Sequence, residues 1–172
     1  MAQLIVEAGA DALDPLVLAA EALLGGESFR IEALPAPDTR DLLYRDFPGG
    51  LADLGALLRE GAVTSARIAP GDGRWWMMLF RPMFDSDGAP WWSLVVEYRI
   101  LAADRAFEEL KRIPGVSFVS VSMEESLDFG PGPVTPGTFP WTHFRLIRAA
   151  VRDGAGGWVE RRGPAEMPRD AE

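Results

Sequence analysis

Cysteine is absent from this 172-residue chain, histidine occurs once, at His143, and lysine once, at Lys111. The first absence removes disulfides, thiolate nucleophiles and cysteine-ligated zinc together. A single histidine rules out a His-rich metal site and leaves His143 as the sole imidazole for a catalytic dyad or triad. A single lysine against sixteen arginines removes most routes to Schiff-base or lysine-nucleophile chemistry. No apolar stretch approaches the ~18 residues a membrane-spanning helix requires. No Gly-x-Ser-x-Gly elbow is present. Gly71-x-Gly73 lacks the remaining glycines of a dinucleotide fingerprint and leads into a strand, and Gly154-x-Gly156-Gly157 also lacks the helix start that cradles a phosphate. Asp85-Ser86-Asp87-Gly88 opens like a calcium loop, but its glycine comes too early and Val96 stands where the closing glutamate belongs, so a turn is expected. No cofactor and no metal are implied. The segment Met1 to Glu7 has no basic region and soon turns acidic, so no secretory signal is expected, and the missing cysteines agree with a cytoplasmic address.

What is present is acid and tryptophan. The net charge of −9 opposes general nucleic-acid binding, which Lys and Arg clusters supply, and adsorption to anionic membranes. The charge is uneven: residues 1–60 carry eleven acids and four arginines, whereas residues 141–172 carry six arginines and five acids. An acidic surface keeps a protein soluble and also steers a basic protein partner. Two tryptophan pairs, Trp75-Trp76 and Trp91-Trp92, open two apolar runs separated by the turn-forming stretch Asp85 to Pro90. Neighbouring residues on a strand face opposite ways, so each pair is expected to send one indole into a core.

The length suits one domain able to bury roughly 70% of its unfolded surface. Short strands are expected over residues 3–8, 29–33, 63–69, 74–81, 91–101 and 116–123. The run 74–81 is apolar on both faces, which is how a strand between two neighbours reads, and it should pair antiparallel with 91–101. Helices are expected from Asp14-Pro15 to Gly25, from Leu51 to Gly61, and from Asp104 to Pro114-Gly115, each marked by apolar spacing and by a cap or stop residue. On the third, Arg105–Glu109 and Glu108–Arg112 have the spacing of ion pairs. The segment 38–47 reads as a short helical turn. In the run 141–152, Phe144, Ile147 and Val151 fit a helix; the competing reading is a strand pairing across Asp153–Gly157 with Trp158-Val159-Glu160. The helix is the favoured reading. The chain is thus expected to be a single globular α+β domain over residues 1–162, with a mostly antiparallel sheet of about five to six strands, helices packed on one face, and a flexible tail at 163–172.

Two functions from different classes fit these residues. The first is a non-catalytic, acidic, cytosolic protein-binding protein, inhibitor- or antidote-like or an adaptor. Its contacts would be Asp38, Asp41 and Asp46, which lie in one segment flanked by Pro37 and Pro48, together with Trp91, Trp141, Glu124, Glu125 and Asp128. Tryptophans recur as interface anchors. The second is a small hydrolase or small-molecule-binding protein that uses carboxylates beside the loop 124–140 with His143. That loop holds four prolines and three glycines, which exclude a regular element and point to a surface segment bordering the main concave site.

Overall fold

The computed structural model describes residues 2–8, 13–36, 43–71, 73, 76–80, 92–98, 103–123 and 134–166. In chain order the elements are β1 (Ala2–Ala8), α1 (Asp14–Leu24), β2 (Phe29–Pro35), β3 (Arg45–Phe47), α2 (Leu51–Glu60), β4 (Val63–Pro70), β5 (Trp76–Phe80), β6 (Trp92–Tyr98), α3 (Ala103–Lys111), β7 (Val116–Met123), β8 (Leu146–Arg152) and β9 (Trp158–Arg162). All strands join one sheet in the order β3-β2-β4-β5-β6-β1-β7-β8-β9, and every pairing is antiparallel. The fold is α+β, as the sequence indicates. Strand β5 lies between β4 and β6, and its register sets Met77 opposite Val96 and Leu79 opposite Leu94, all four fully buried. The expected neighbours at 74–81 and 91–101 are therefore neighbours. The indoles of Trp75, Trp76, Trp91 and Trp92 lie outside the described part of the structure.

Strands β3, β8 and β9 carry the sheet past the six strands read from the sequence. The helix favoured at 141–152 is not formed; residues 146–152 are strand β8, paired with β7 and, across the Asp153–Gly157 turn, with β9. Leu146, Ile147, Ala149, Ala150 and Val151 are all buried, so the strand is covered on both faces and shows no polar alternation in its sequence. The described part of 38–47 is likewise no helical turn: Arg45–Phe47 pairs with Ile31–Ala33 as a three-residue edge strand. At the other end of the sheet, Gly163 and Ala165 donate backbone hydrogen bonds to Ile147 and Leu146, so the chain stays attached to β8 beyond residue 162.

Alternation within the strands builds two cores. Leu4, Val6 and Ala8 of β1 face the main core with Ile31, Ile68, Val96, Val119 and Val121, and the apolar stripes of all three helices close over it. Ile5 faces the other way, into a smaller cluster with Phe118, Leu146, Ala149 and Val151. Helix α1 begins with Pro15 in its first turn and ends at Gly25 in a left-handed conformation, φ 58°, whose N–H is donated to the Glu21 carbonyl. Asp14 is the first helical residue and not the cap; its carboxylate instead accepts Arg59 Nη2 at 2.7 Å, which links α1 to α2. At the start of α2 the Asp53 carboxylate accepts the Gly50 N–H at 3.0 Å. Of the ion pairs expected on α3, Arg105–Glu109 forms at 2.9 Å, whereas Glu108 turns to Lys111 and Arg148 in place of Arg112.

Gly115, in the turn between α3 and β7, has a φ of 89°, and a Cβ there would stand 2.5 Å from Cγ of Pro15. Alanine at this position meets two penalties, a backbone conformation that L-residues avoid and a collision with a rigid ring in α1. Gly115→Ala is expected to lower stability by more than ~1 kcal/mol, measured as a lower urea midpoint. An unchanged midpoint would contradict this close approach of α1 to the α3–β7 turn.

Candidate functional site

Three surfaces gather the residues capable of recognition or chemistry. The first lies on the sheet face away from the helices, where Val134, Phe139 and Trp141 cover the smaller core. Thr135 and Thr138 bind each other through backbone and hydroxyl groups, making a tight turn that holds this cover in place. Phe139 sits 5.3 Å from Phe118 and 4.7 Å edge-on from Trp141. Trp141 donates its indole N–H to the Pro136 carbonyl at 2.8 Å, and the Arg161 guanidinium lies 5.0 Å above its ring. Its polar atom is thus already satisfied and its ring half-buried, so it serves first as a lid over the smaller core.

His143 follows on the same segment. Its Nδ1 accepts the Arg145 backbone N–H at 3.3 Å, and its ring stacks 4.9 Å from Phe144, which is 68% exposed. Ser120, buried with an unpartnered Oγ, has Ile5 and Ala149 as its register neighbours, so the sheet sets no base beside it. Among the described residues no group of three His, Cys, Asp or Glu side chains could hold a metal ion.

The second surface is an ion network where α3 crosses β8 and β9. Arg148 donates to Glu160 at 2.8 Å through Nε, to Asp104 at 3.2 Å through Nη1, and to Glu108 through Nη2. Lys111 donates to Glu160 at 2.6 Å and to Glu108 at 3.2 Å. The Arg148 guanidinium also lies 4.1 Å over the Phe107 ring. Burial pushes the Glu108 and Glu160 carboxyls up, but hydrogen bonds from Lys111 and Arg148 outweigh it and hold both below the ordinary value. For Arg148, burial works against the charge, and the bonds to Glu160 and Glu108 more than restore it. Every charge here has a partner, so the network ties elements together; it also occupies the sole lysine. Its long-range partners could not be read from the sequence, because Arg148 lies 40 residues from Glu108 and 44 from Asp104.

The third surface is an open cleft at the β2–β3 edge, lined by Phe29, Arg30, Ile31, Asp46, Phe47, Pro48 and Gly49. Phe29 is 38% exposed, and Asp46 is exposed at the centre of the edge strand opposite Glu32. Arg30 is drawn to Glu32 at 3.3 Å. Residues 25–36 and 43–60, which include the strands of this end, carry five acids and three arginines.

Of the residues singled out in the sequence, Asp46 lies in this cleft, while Trp141 and His143 lie near β8. Strands β3 and β8 are seven inter-strand steps apart in the sheet order, about 34 Å along the sheet at ~4.8 Å per step, so the structure does not bring these groups together. Asp38, Asp41, Trp91, Glu124, Glu125 and Asp128 lie outside the described residues. The described part of the loop, 134–140, does not border the cleft, contrary to expectation; it packs on the smaller core at the far end of the sheet. Phe29 and Phe47 were missed as site residues because each reads as an ordinary apolar strand position; only the Pro48-Gly49-Gly50 break beside Phe47 hints at an open edge. No helix among the described residues is long and apolar enough to cross a membrane. The chain matches no protein-family model, no curated protein and no solved structure.

Proposed function

We propose that this protein is a non-catalytic cytosolic binding protein, of inhibitor or adaptor type, whose acidic β2–β3 end receives a basic protein partner. The observation that carries this reading is the open cleft itself, whose lining combines the exposed Phe29 and half-buried Phe47 on one face of the sheet edge with Asp46, which the alternation of the edge strand β3 turns to the other face. Aromatic side chains in a pocket supply the apolar anchor of an interface, and a carboxylate beside them selects a cationic group. The surrounding excess of acid speeds encounter with a basic surface and slows encounter with an acidic one. Glu32 already holds Arg30, so the charge offered outward at this end comes from residues such as Asp46 and Glu27.

The reading is tested by affinity capture from native cells with the parent chain, Phe29→Ala and Asp46→Arg as parallel baits, all matched for thermal stability. A basic protein captured by the parent and reduced about tenfold or more on both variants is the expected result. Partners retained equally by all three baits would overturn the assignment of this end. The association rate with the captured partner should also fall steeply as salt rises, since the Debye length contracts from ~10 Å at 0.1 M to ~3 Å at 1 M.

A further inference from the structure

The opposite edge of the sheet has the opposite character. Among the described residues strand β9 pairs only with β8, which leaves its outer side open. Which backbone groups face outward follows from the ladder. Asp153 donates to the Gly157 carbonyl and Gly163 to the Ile147 carbonyl, so the hydrogen-bonded positions of β9 fall on the odd-numbered residues between these two bonds, Val159 and Arg161. The N–H and C=O groups of Trp158, Glu160 and Arg162 therefore point away from β8. No bulge interrupts the β8–β9 register, and no proline occurs until Pro164. The edge thus lacks two of the usual devices that block pairing with another strand.

Its side chains set the sign of what can pair there. Glu160 is neutralised from within by Arg148 and Lys111. Arg161 rests on the Trp141 ring, and Arg162 has no ion-pair partner among the described residues; both are exposed. The charge the edge presents is therefore positive, on a protein whose net charge is −9. A second copy of β9 is a poor partner. The antiparallel register that overlaps all five residues sets Glu160 against Glu160; of the two in-phase registers shifted by two residues, one sets Arg161 against Arg161 and the other, Val159 against Val159, pairs only three residues.

We propose that β9 accepts an extended acidic peptide segment of a partner protein as a tenth strand. Backbone bonds to Trp158, Glu160 and Arg162 supply the pairing, and carboxylates opposite Arg161 and Arg162 supply the selection. This surface is independent of the β2–β3 cleft and stands whether or not that cleft is the acidic docking end.

The test uses the full chain and fluorescein-labelled Glu/Val heptapeptides with an adjacent Glu-Glu pair, which sends a carboxylate to each face of the strand, with the corresponding Lys/Val peptide as control, read by fluorescence anisotropy. The Glu/Val peptide should bind and the Lys/Val peptide should not, and the Arg161→Glu/Arg162→Glu double variant should weaken binding by about tenfold or more. Arg162→Pro should weaken it beyond Arg162→Ala, because only proline removes the outward N–H, and an edge strand tolerates that loss. A Glu/Val peptide N-methylated on the amides facing β9 keeps its charge and should lose binding, a result that does not depend on any variant folding. Equal binding of the methylated and unmethylated peptides, or an oligothymidine that competes equally with both, would overturn strand pairing in favour of a simple polyanion site. Absence of binding by the unmodified peptide would overturn the proposal outright.

Discussion

Phe107→Ala is expected to destabilise the protein by about 3–5 kcal/mol, the cost of truncating a fully buried aromatic ring. Phe107 is among the largest side chains completely removed from solvent, and it projects from α3 into the main core. Its ring also supports two cations, Arg148 at 4.1 Å and Lys111 at 5.2 Å. Alanine therefore opens a cavity and takes away the surface on which the ion network is seated. For a chain of this size each kcal/mol moves the melting temperature by about 2–4 °C, so a fall of at least ~6 °C should be seen. A loss below ~1 kcal/mol in urea unfolding would contradict the packing of α3 against β7 and β8.

Arg148→Ala is expected to cost about 2–3 kcal/mol at pH 7, below the range for a fully buried pair because its carboxylate partners are partly solvated. The variant leaves Glu108 and Glu160 sharing Lys111 alone. The effect should depend on pH with a definite sign. Both carboxyls are pushed up by burial and pulled down further by Lys111 and Arg148, ending below their ordinary value of 4.5. A carboxyl depressed in the folded state stabilises the fold above its unfolded pKa, and that contribution disappears as the pH falls through the folded pKa. The gap between parent and variant should therefore be widest near pH 7 and narrow on acidification below about 4.5. Urea unfolding at pH 7 and pH 3 measures it. A gap of constant size would assign the effect to the stacking of Arg148 on Phe107 and not to the ion pairs.

Where the sequence pattern carries one face only, it was legible. The alternation in 29–33 places Ile31 and Ala33 inward and turns Arg30 and Glu32 to the other side, as β2 shows. The helices were equally plain, since Leu16, Ala19, Ala20 and Leu24, and then Leu51, Leu54 and Leu58, form single buried stripes. The run 141–152 misled because β8 is buried on both sides: Ile147 and Val151 happen to be four residues apart, but they face different cores across a register shift opposite Val121-Ser122. Arg148 and Arg152, which look like the solvent side of a helix, lie instead over Phe107 and Trp158. Strand β3 was illegible for the opposite reason, since three residues are too few for any period to show. The acidic end could be read from composition, but the cleft could not, because it depends on the antiparallel return of β3 to β2, which brings Phe47 opposite Ile31 near Phe29.

The acidic β2–β3 edge as the docking surface is the central claim, and hydrogen–deuterium exchange of the chain alone and with its captured partner tests it most directly. Slowed exchange is expected in residues 29–33 and 45–49, with 146–152 unchanged. Protection confined to other segments, with β2 and β3 exchanging at their free rates in the saturated complex, would contradict it.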